Sequence, residues 1–303
     1  MKKELFQNAR MVKAHAKVNL SIDILGTRPE DGYHLVEMIM QQVNLYDRLF
    51  FFSGNKVDLL ENKKEISDGI FLASESPRMP LNEKNTIYKA AKLMKDEFGI
   101  QDRIAIFAEK HIPSGGGLGG GSSDGAAVMK AINHIYKLGV SNKALEKLSA
   151  KLGSDVPFFV RSRAAVASGT GTDIRIIPPF KGGYILLVNP GVFCSTEKIY
   201  HEIDTTEIPA EARPDNVLLE KAMAEGDLKK LAANMKNVLE LATFKLYPEV
   251  AQIKEELLKE GALGAMMSGS GATVFGLFDD PELATKVMEK YREKRLFASL
   301  AEL

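Results

Sequence analysis

The run from Pro113 to Val128, Pro-Ser-Gly-Gly-Gly-Leu-Gly-Gly-Gly-Ser-Ser-Asp-Gly-Ala-Ala-Val, constrains this chain more than any other stretch. Six of the seven residues from Gly115 to Gly121 are glycine, so ordering the run carries a high backbone-entropy cost and calls for a physical reason. A strand-like segment, Arg103 to Lys110, precedes it, and a helix-like segment, Ser123 to Leu138, follows. A strand, a glycine loop and a helix start together make an anion cradle. With side chains absent, backbone N–H groups close on phosphate oxygens, and the free N–H groups and positive dipole end of the helix face the same charge. Ser122 and Ser123 add hydroxyl donors at the helix start.

A flexible linker is the plainest alternative, but linkers lack tight apolar periodicity on both flanks and are diluted with polar residues. Other phosphate loops fit less well. A Walker A loop ends in Gly-Lys-Ser/Thr, whereas Gly121 is followed by Ser122 with no lysine. A Rossmann G-x-G-x-x-G does occur at Gly115, Gly117 and Gly120, as it will in any dense glycine run. The second strand closed by an acid about 20 residues on is replaced by the helix Met129 to Leu138 and a further helix. A protein-kinase glycine loop needs His-Arg-Asp and Asp-Phe-Gly downstream, and the chain has neither.

Lysine plus arginine equals aspartate plus glutamate, 40 against 40, so any anion site is local and overall charge points to no nucleic acid or membrane. The 303 residues, 45% hydrophobic, suffice for two cores. The single cysteine, Cys194, excludes an internal disulfide and suits a reducing compartment. No apolar run has the length of a membrane span, and the polar start, Met1 to Arg10, is no secretory signal; a cytoplasmic protein is expected.

Val12 to Leu25 alternates apolar and polar residues as a long half-buried strand, which sets His15, Lys17 and Asn19 in one row about 6.5 Å apart. On the strand alone that row reads as a solvated face. Gly26 to His34 is a turn region with Pro29 and Asp31-Gly32, leaving Tyr33 and His34 just beyond it. Val36 to Leu45 and Asp47 to Phe52 read as separate strands, and Asn55 to Glu83 as mostly loop with one short strand at Ile70 to Leu72. Asn85 is a helix cap before the helical spacing of Ile87, Ala90, Ala91, Met94 and Phe98, stopped by Gly99. Asn142 to Leu152 reads as a helix ended by Gly153. Asp155 then sits in Gly-Ser-Asp-Val-Pro-Phe-Phe, as a helix N-cap or a catalytic carboxylate, the cap being favoured on local grounds.

Ala164 to Ser168 and Thr172 to Ile177 read as strands, and Pro178 to Gly183 as a linker. The expected domains are therefore residues 1–180 and 181–303. Beyond it lie a buried strand at Tyr184 to Val188, a loop running into a helix that carries Thr196 and Tyr200, and helices at Asp215 to Glu225, Lys229 to Leu239 and Glu249 to Glu260. Two strands, about Leu263 to Met267 and Thr273 to Phe278, flank Ser268-Gly269-Ser270-Gly271, a glycine hairpin that would also suit a second lid on a phosphate. Pro281 to Glu293 is a final amphipathic helix.

Ala16-Lys17-Val18-Asn19-Leu20, the loop from Pro113 to Ala127, and Met267-Ser268-Gly269-Ser270-Gly271-Ala272-Thr273-Val274-Phe275 together resemble the three motifs of the GHMP family. That family of small-molecule kinases is named for galactokinase, homoserine kinase, mevalonate kinase and phosphomevalonate kinase. Within it, Gly26 to His34, Gly153 to Phe159 and Pro190-Gly191-Val192 are similar to the members that phosphorylate a diphosphocytidyl methylerythritol in isoprenoid synthesis. The resemblance spans roughly Lys13 to Phe278. It departs from the family pattern at Ala272, where proline is common, and in the loop, where glycine stands for a frequent alanine.

The resemblance implies an α/β (α+β) fold, with an N-terminal ribosomal-S5-like domain and a C-terminal ferredoxin-like GHMP kinase domain. It implies ATP as phosphoryl donor, Mg²⁺ with it, a small-molecule acceptor, no nucleic acid, no membrane, and a monomer or homodimer. Pro113, Ser114, Gly115, Gly116, Gly117, Leu118, Gly119, Gly120, Gly121, Ser122 and Ser123 would hold the phosphates, with Asn85 and Lys110 toward the nucleoside. Asp155 would take the hydroxyl proton, and Lys17 would keep that carboxylate ionised and stabilise the transferring group. Asn19, Tyr33, His34, Thr196 and Tyr200 would line the cytidine side. No position matches the acidic metal ligand of mevalonate-type members. Three other readings stay open: a family member acting on mevalonate-like or homoserine-like alcohols, a nucleotide-binding regulatory protein without catalysis, and a Rossmann dehydrogenase.

Overall fold

The computed structural model describes residues 9–161 and 163–303; the polar start read at Met1 to Arg10 lies outside it for its first eight residues. The chain divides into two compact units. Two long strands, β1 (Arg10–Thr27) and β2 (His34–Ser53), run through both, changing unit between Ala16 and Lys17 and between Leu45 and Tyr46. The sequence reads β2 as two strands because polar residues interrupt its apolar pattern near Asn44; the strand itself runs through that point without a break.

The first unit holds the start of β1, the end of β2, and the chain from Tyr46 to Ser114 and from Gly120 to Arg161. Here β2 pairs antiparallel with β5 (Ile104–Glu109), from Arg48 opposite Glu109 to Ser53 opposite Ile104. β4 (Ile70–Ser74) lies parallel on the other side of β5, and β3 (Lys64–Ser67) folds back on β4. The turn between β3 and β4 is Asp68-Gly69, both at positive φ (54° and 70°), as a two-residue hairpin turn requires. The sequence reads β3 as loop because it has only four residues and no alternation to detect. Phe50, Phe52, Phe71 and Phe107 form one face of this sheet's core with Val57 from a 3₁₀ turn and Leu60 just after it.

Helix α1 (Thr86–Phe98) begins at the Asn85 cap, whose side chain accepts the Ile87 N–H at 2.8 Å, and ends at Gly99 in the left-handed conformation. It packs on α2 (Gly120–Ile135). A β-carbon at Gly125 would come within 2.7 Å of Thr86 Cγ2, so this close approach requires glycine in mid-helix. Two shorter helices, α3 (Asn142–Ser149) and α4 (Val156–Arg161), complete the unit. Helix α2 starts at Gly120, not Ser123, so the last glycines of the run are helical: a free helix N-terminus tolerates glycine where tertiary contact holds it.

The second unit contains two sheets. The end of β1 and the start of β2 lie beside each other, β2 pairs with β6 (Ala164–Ser168), and β6 with β7 (Asp173–Ile176). On the other side β1 pairs in parallel with β9, only Lys236–Asn237. The helix expected from Lys229 to Leu239 therefore stops early: α7 is Leu228–Asn234, and the chain turns extended to join β1. The row of His15, Lys17 and Asn19 is not a solvated face, since Lys17 is 4% and Asn19 0% exposed. A polar residue that finds partners on a buried face leaves the same alternation as one in water.

The other sheet has the order β10-β11-β8-β12, all antiparallel, from β8 (Tyr184–Asn189), β10 (Gly264–Met267), β11 (Val274–Phe278) and β12 (Phe297–Glu302). Helix α9 (Pro248–Lys259) packs on β10 and β11, and α10 (Pro281–Glu293) on β8 and β12. The succession β8-α9-β10-β11-α10-β12 is the ferredoxin-like arrangement. Between β8 and α9 are inserted α5 (Thr196–Asp204), α6 (Asn216–Glu225), α7 and α8 (Glu240–Leu246). Strand β12 lacks clean alternation and goes unseen in the sequence. Among the described residues, no helix is long and apolar enough to cross a membrane.

Candidate active site

The tip of the glycine loop, Gly115–Gly119, belongs to the second unit. Gly115, Gly117 and Gly119 have φ of 68°, 75° and 67°, alternating with Gly116 and Leu118, which stay out of that region. Alternation of this kind turns successive amides into an anion nest. Three consecutive carbonyls of the tip are anchored. Gly116 O accepts from Thr273 N at 3.2 Å, Gly117 O from Ser268 Oγ at 3.0 Å, and Leu118 O from Lys17 N at 3.0 Å. In a planar trans peptide the N–H points opposite to the C=O of the same unit. The N–H groups of Gly117, Leu118 and Gly119 therefore face away from these anchors.

The turn that roofs the tip is Ser268–Gly271, closed by Gly271 N to Ser268 O at 3.0 Å. It lies so close that a β-carbon on Gly117 would be 1.9 Å from Ser268 O, and one on Gly269 3.1 Å from Gly117 Cα. Phe193 lies against Gly115, its ring 3.0 Å from where a β-carbon would be, and is otherwise exposed.

Behind the tip, β1 carries Lys17 and Asn19. The Lys17 ammonium donates to Asn19 Oδ1, and Asn19 Nδ2 to Met38 Sδ at 3.2 Å. At the start of β2, His34 Nε2 lies 2.6 Å from Asp204 Oδ1, and its ring is 4.7 Å from that of Tyr200 on α5. Thr196 at the start of α5 is exposed, and its Oγ1 lies 2.8 Å from Ser270 Oγ in the roof turn. Tyr33 is 64% exposed, its ring 5.7 Å from the Arg28 guanidinium.

In the first unit the loop is continued by Gly120, Gly121, Ser122 and Ser123 as the opening turn of α2. A β-carbon at Gly120 would press within 3.0 Å of Ile112 Cγ2, which keeps the strand exit and the helix start together. The same junction is tied by a buried cluster that sequence reasoning missed. Asp47, fully buried on β2, accepts the N–H groups of His111 and, at 2.9 Å, Ile112, and pairs with Lys110. Lys110 also pairs with Asp124 on α2. Burial would lower the Lys110 pKa, but the Asp124 and Asp47 carboxylates overcome it and hold the ammonium above its ordinary value. Burial, opposed by Lys110 and reinforced by Asp47, pushes Asp124 up to about 7. Asp124 Oδ1 is buried with no hydrogen-bond partner among the described residues, which costs less for a protonated carboxyl than for a carboxylate.

Asn85 is 7% exposed, its Nδ2 donating to Pro80 O at 2.7 Å, and caps α1 as its sequence suggests. Asp155 is half-buried immediately before α4. Asp124 directly follows Ser122-Ser123, a polar residue where an apolar helix begins, and that was its only sequence signal; Asp47 left none. Among the described residues no three acidic, histidine or cysteine side chains are grouped to hold a metal.

The profile of the GHMP kinases N terminal domain matches residues 85–163, and that of the GHMP kinases C terminal matches residues 219–295. The chain is similar to the 4-diphosphocytidyl-2-C-methyl-D-erythritol kinase of Clostridioides difficile (strain 630), with 40% identity over 289 residues, 93% of this chain and 92% of that protein. The enzyme of the same name from Clostridium tetani is 41% identical over 283 residues, 93% of this chain and 96% of that one. A crystal structure of 4-(cytidine 5'-diphospho)-2C-methyl-D-erythritol kinase superposes with TM-score 0.75 at 29% identity, covering 97% of this chain and 100% of the other. The L. major mevalonate kinase in complex with R-mevalonate superposes with TM-score 0.71 at 16% identity, covering 97% of both chains, a likeness of fold.

Proposed function

The chain belongs to the GHMP kinase family, and from that premise we propose that it transfers the γ-phosphoryl group of ATP to the 2-hydroxyl of 4-diphosphocytidyl-2-C-methyl-D-erythritol. The observation that carries this reading is the anchoring of three consecutive loop carbonyls, which turns the N–H groups of Gly117, Leu118 and Gly119 outward as a phosphate cradle. The name shared by relatives about 40% identical over nearly the full chain supports the acceptor.

Phosphoryl transfer asks for alignment and charge stabilisation more than covalent chemistry. In this reading Pro113 to Gly121 grip the triphosphate, with Ser122 and Ser123 at the positive end of α2. Asn85 and Lys110 lie toward the nucleoside; the pairing of Lys110 with Asp47 and Asp124 makes its contribution one of shaping that side. Asp155 takes the proton of the attacking hydroxyl and orients it, and Lys17 stabilises the charge on the transferring group. Asn19, Tyr33, His34, Thr196 and Tyr200 receive the cytidine end, where the paired rings of His34 and Tyr200 offer a stacking face and a ring nitrogen. Mg²⁺ would neutralise phosphate charge, held mainly by phosphate and water oxygens, and the Ser122 and Ser123 hydroxyls at the start of α2 would be its protein-side candidates. Residues 1–180 would form the nucleotide-binding domain and 181–303 the second family domain, working in the cytoplasm as a monomer or homodimer.

The test is ADP release with Mg²⁺ and ATP against three acceptors: the diphosphocytidyl alcohol, mevalonate and homoserine. Turnover of the first alone is expected. Turnover of either of the others without the first would overturn the assignment.

A further inference from the structure

The roof over the glycine loop is itself held from behind. Asn237 of β9 is 4% exposed and directs three side-chain hydrogen bonds to backbone. Its Nδ2 donates to Met267 O at 2.9 Å and to Gly269 O at 2.8 Å, and its Oδ1 accepts from Leu239 N at 3.0 Å. Three residues on, Glu240 Oε1 accepts the Met267 N–H at 2.8 Å, and the carboxylate is paired with Lys254. Met267 thus has its N–H and its carbonyl bonded to two side chains of one short segment.

Beyond Met267 the roof turn meets the loop at Ser268 Oγ to Gly117 O and Thr273 N to Gly116 O, with no spare clearance above Gly117. Asn237 also lies opposite Ile22 on β1, and Val238 N donates to Ile22 O at 3.1 Å. The same β1 gives the Lys17 N–H to Leu118 O. Roof and floor of the loop tip therefore hang on one strand pair. A displacement of the roof by a few tenths of an ångström moves the carbonyls of Gly116 and Gly117, and with them the N–H groups on their far side.

We infer that Asn237, supported by Glu240, is a positioning residue for triphosphate binding: it fixes the carbonyls of Met267 and Gly269 at the start of the roof turn, and through them the loop amides, without touching the nucleotide. The inference rests on the reading of the loop as an ATP site. Asn237→Asp keeps the volume and sets a carboxylate against two carbonyl oxygens; Asn237→Ala simply removes the donors. Gln41→Leu is the control. Gln41 is equally buried in the same unit and makes two bonds to the Phe180 backbone, away from the loop.

Three measurements are made on the full chain: unfolding midpoint, calorimetric affinity for Mg²⁺ with a non-hydrolysable ATP analogue, and amide exchange without ligand of Lys17 and Thr273, whose N–H groups donate to the loop carbonyls of Leu118 and Gly116. The Asn237 variants are expected to lose tenfold or more in nucleotide affinity and to exchange those amides at least tenfold faster, with KM for the acceptor within twofold. Gln41→Leu, at a comparable loss of unfolding midpoint, is expected to change neither. Unchanged exchange and affinity in a folded Asn237 variant, or equal losses in Gln41→Leu, would overturn the inference. Failure of the unaltered protein to bind the analogue would instead overturn the ATP reading, and the exchange measurement would still decide the role of Asn237.

Discussion

The carbonyl oxygen of Ser268 stands 1.9 Å from the place a β-carbon on Gly117 would occupy. Glycine is required there twice over, for that approach and for a φ of 75°. Gly117→Ala must push the roof and the loop tip apart, and a misplacement of about 1 Å at a phosphate site costs on the order of 10²-fold in rate. We expect kcat/KM for ATP to fall by about that factor. Gly139→Ala provides the contrast: φ is 69° but the site is open, so a cost of roughly 1–2 kcal/mol in stability with activity retained is expected. Steady-state kinetics and urea unfolding of both variants check this.

Asp155→Asn removes the proposed base with little change of shape. A lost general base lowers kcat by about 10²–10⁴-fold. Lys17→Met removes the charge proposed to stabilise the transferring group and should cost about 10²–10³-fold. Near-normal turnover in either purified, folded variant would take that residue out of the chemistry.

Lys110→Met leaves two buried carboxylates facing each other, and breaking such a pair costs about 3–5 kcal/mol, measurable in urea.

The same cluster predicts a pH effect. Asp124 rises from an ordinary 3.8 to about 7 in the folded protein, so between those values the native state keeps a proton that the unfolded chain has lost. Its contribution to stability is therefore highest near pH 4 and declines as pH rises toward 7, by at most about 1.4 kcal/mol per pH unit. Subtracting the stability of Asp124→Asn from that of the unaltered protein across this range should give a falling line; a flat one would mean that Asp124 stays ionised.

Tyr200→Ala removes one ring of the pair with His34. Stacking of a base on an aromatic side chain is worth about 1–3 kcal/mol. The expected result is a rise of roughly 5- to 100-fold in KM for the cytidine acceptor with KM for ATP unchanged, read in one assay by varying each substrate in turn.

The glycine loop, the Asn85 cap and the first five elements of the βαββαβ run of the second unit were legible because each is a local signature. Glycine marks positive φ, asparagine marks a helix start, and alternation marks a strand. Lys17, Asp155, His34 and Tyr200 came from motif resemblance, since nothing in their own spacing separates a catalytic lysine from one on a solvated strand. Asp47 and Asn237 were illegible for a different reason. Asp47 meets Lys110 at a separation of 63 residues, and Asn237 meets the roof turn at 30 and 32. A side chain that brackets a distant backbone segment leaves no periodicity behind. The amino-acid order alone thus specified where a loop of left-handed turns must form, because glycine adopts those backbone angles at the least cost. Folding decided which way its amides face, because that depends on donors from β1 and the roof turn, which only tertiary contact brings to the loop.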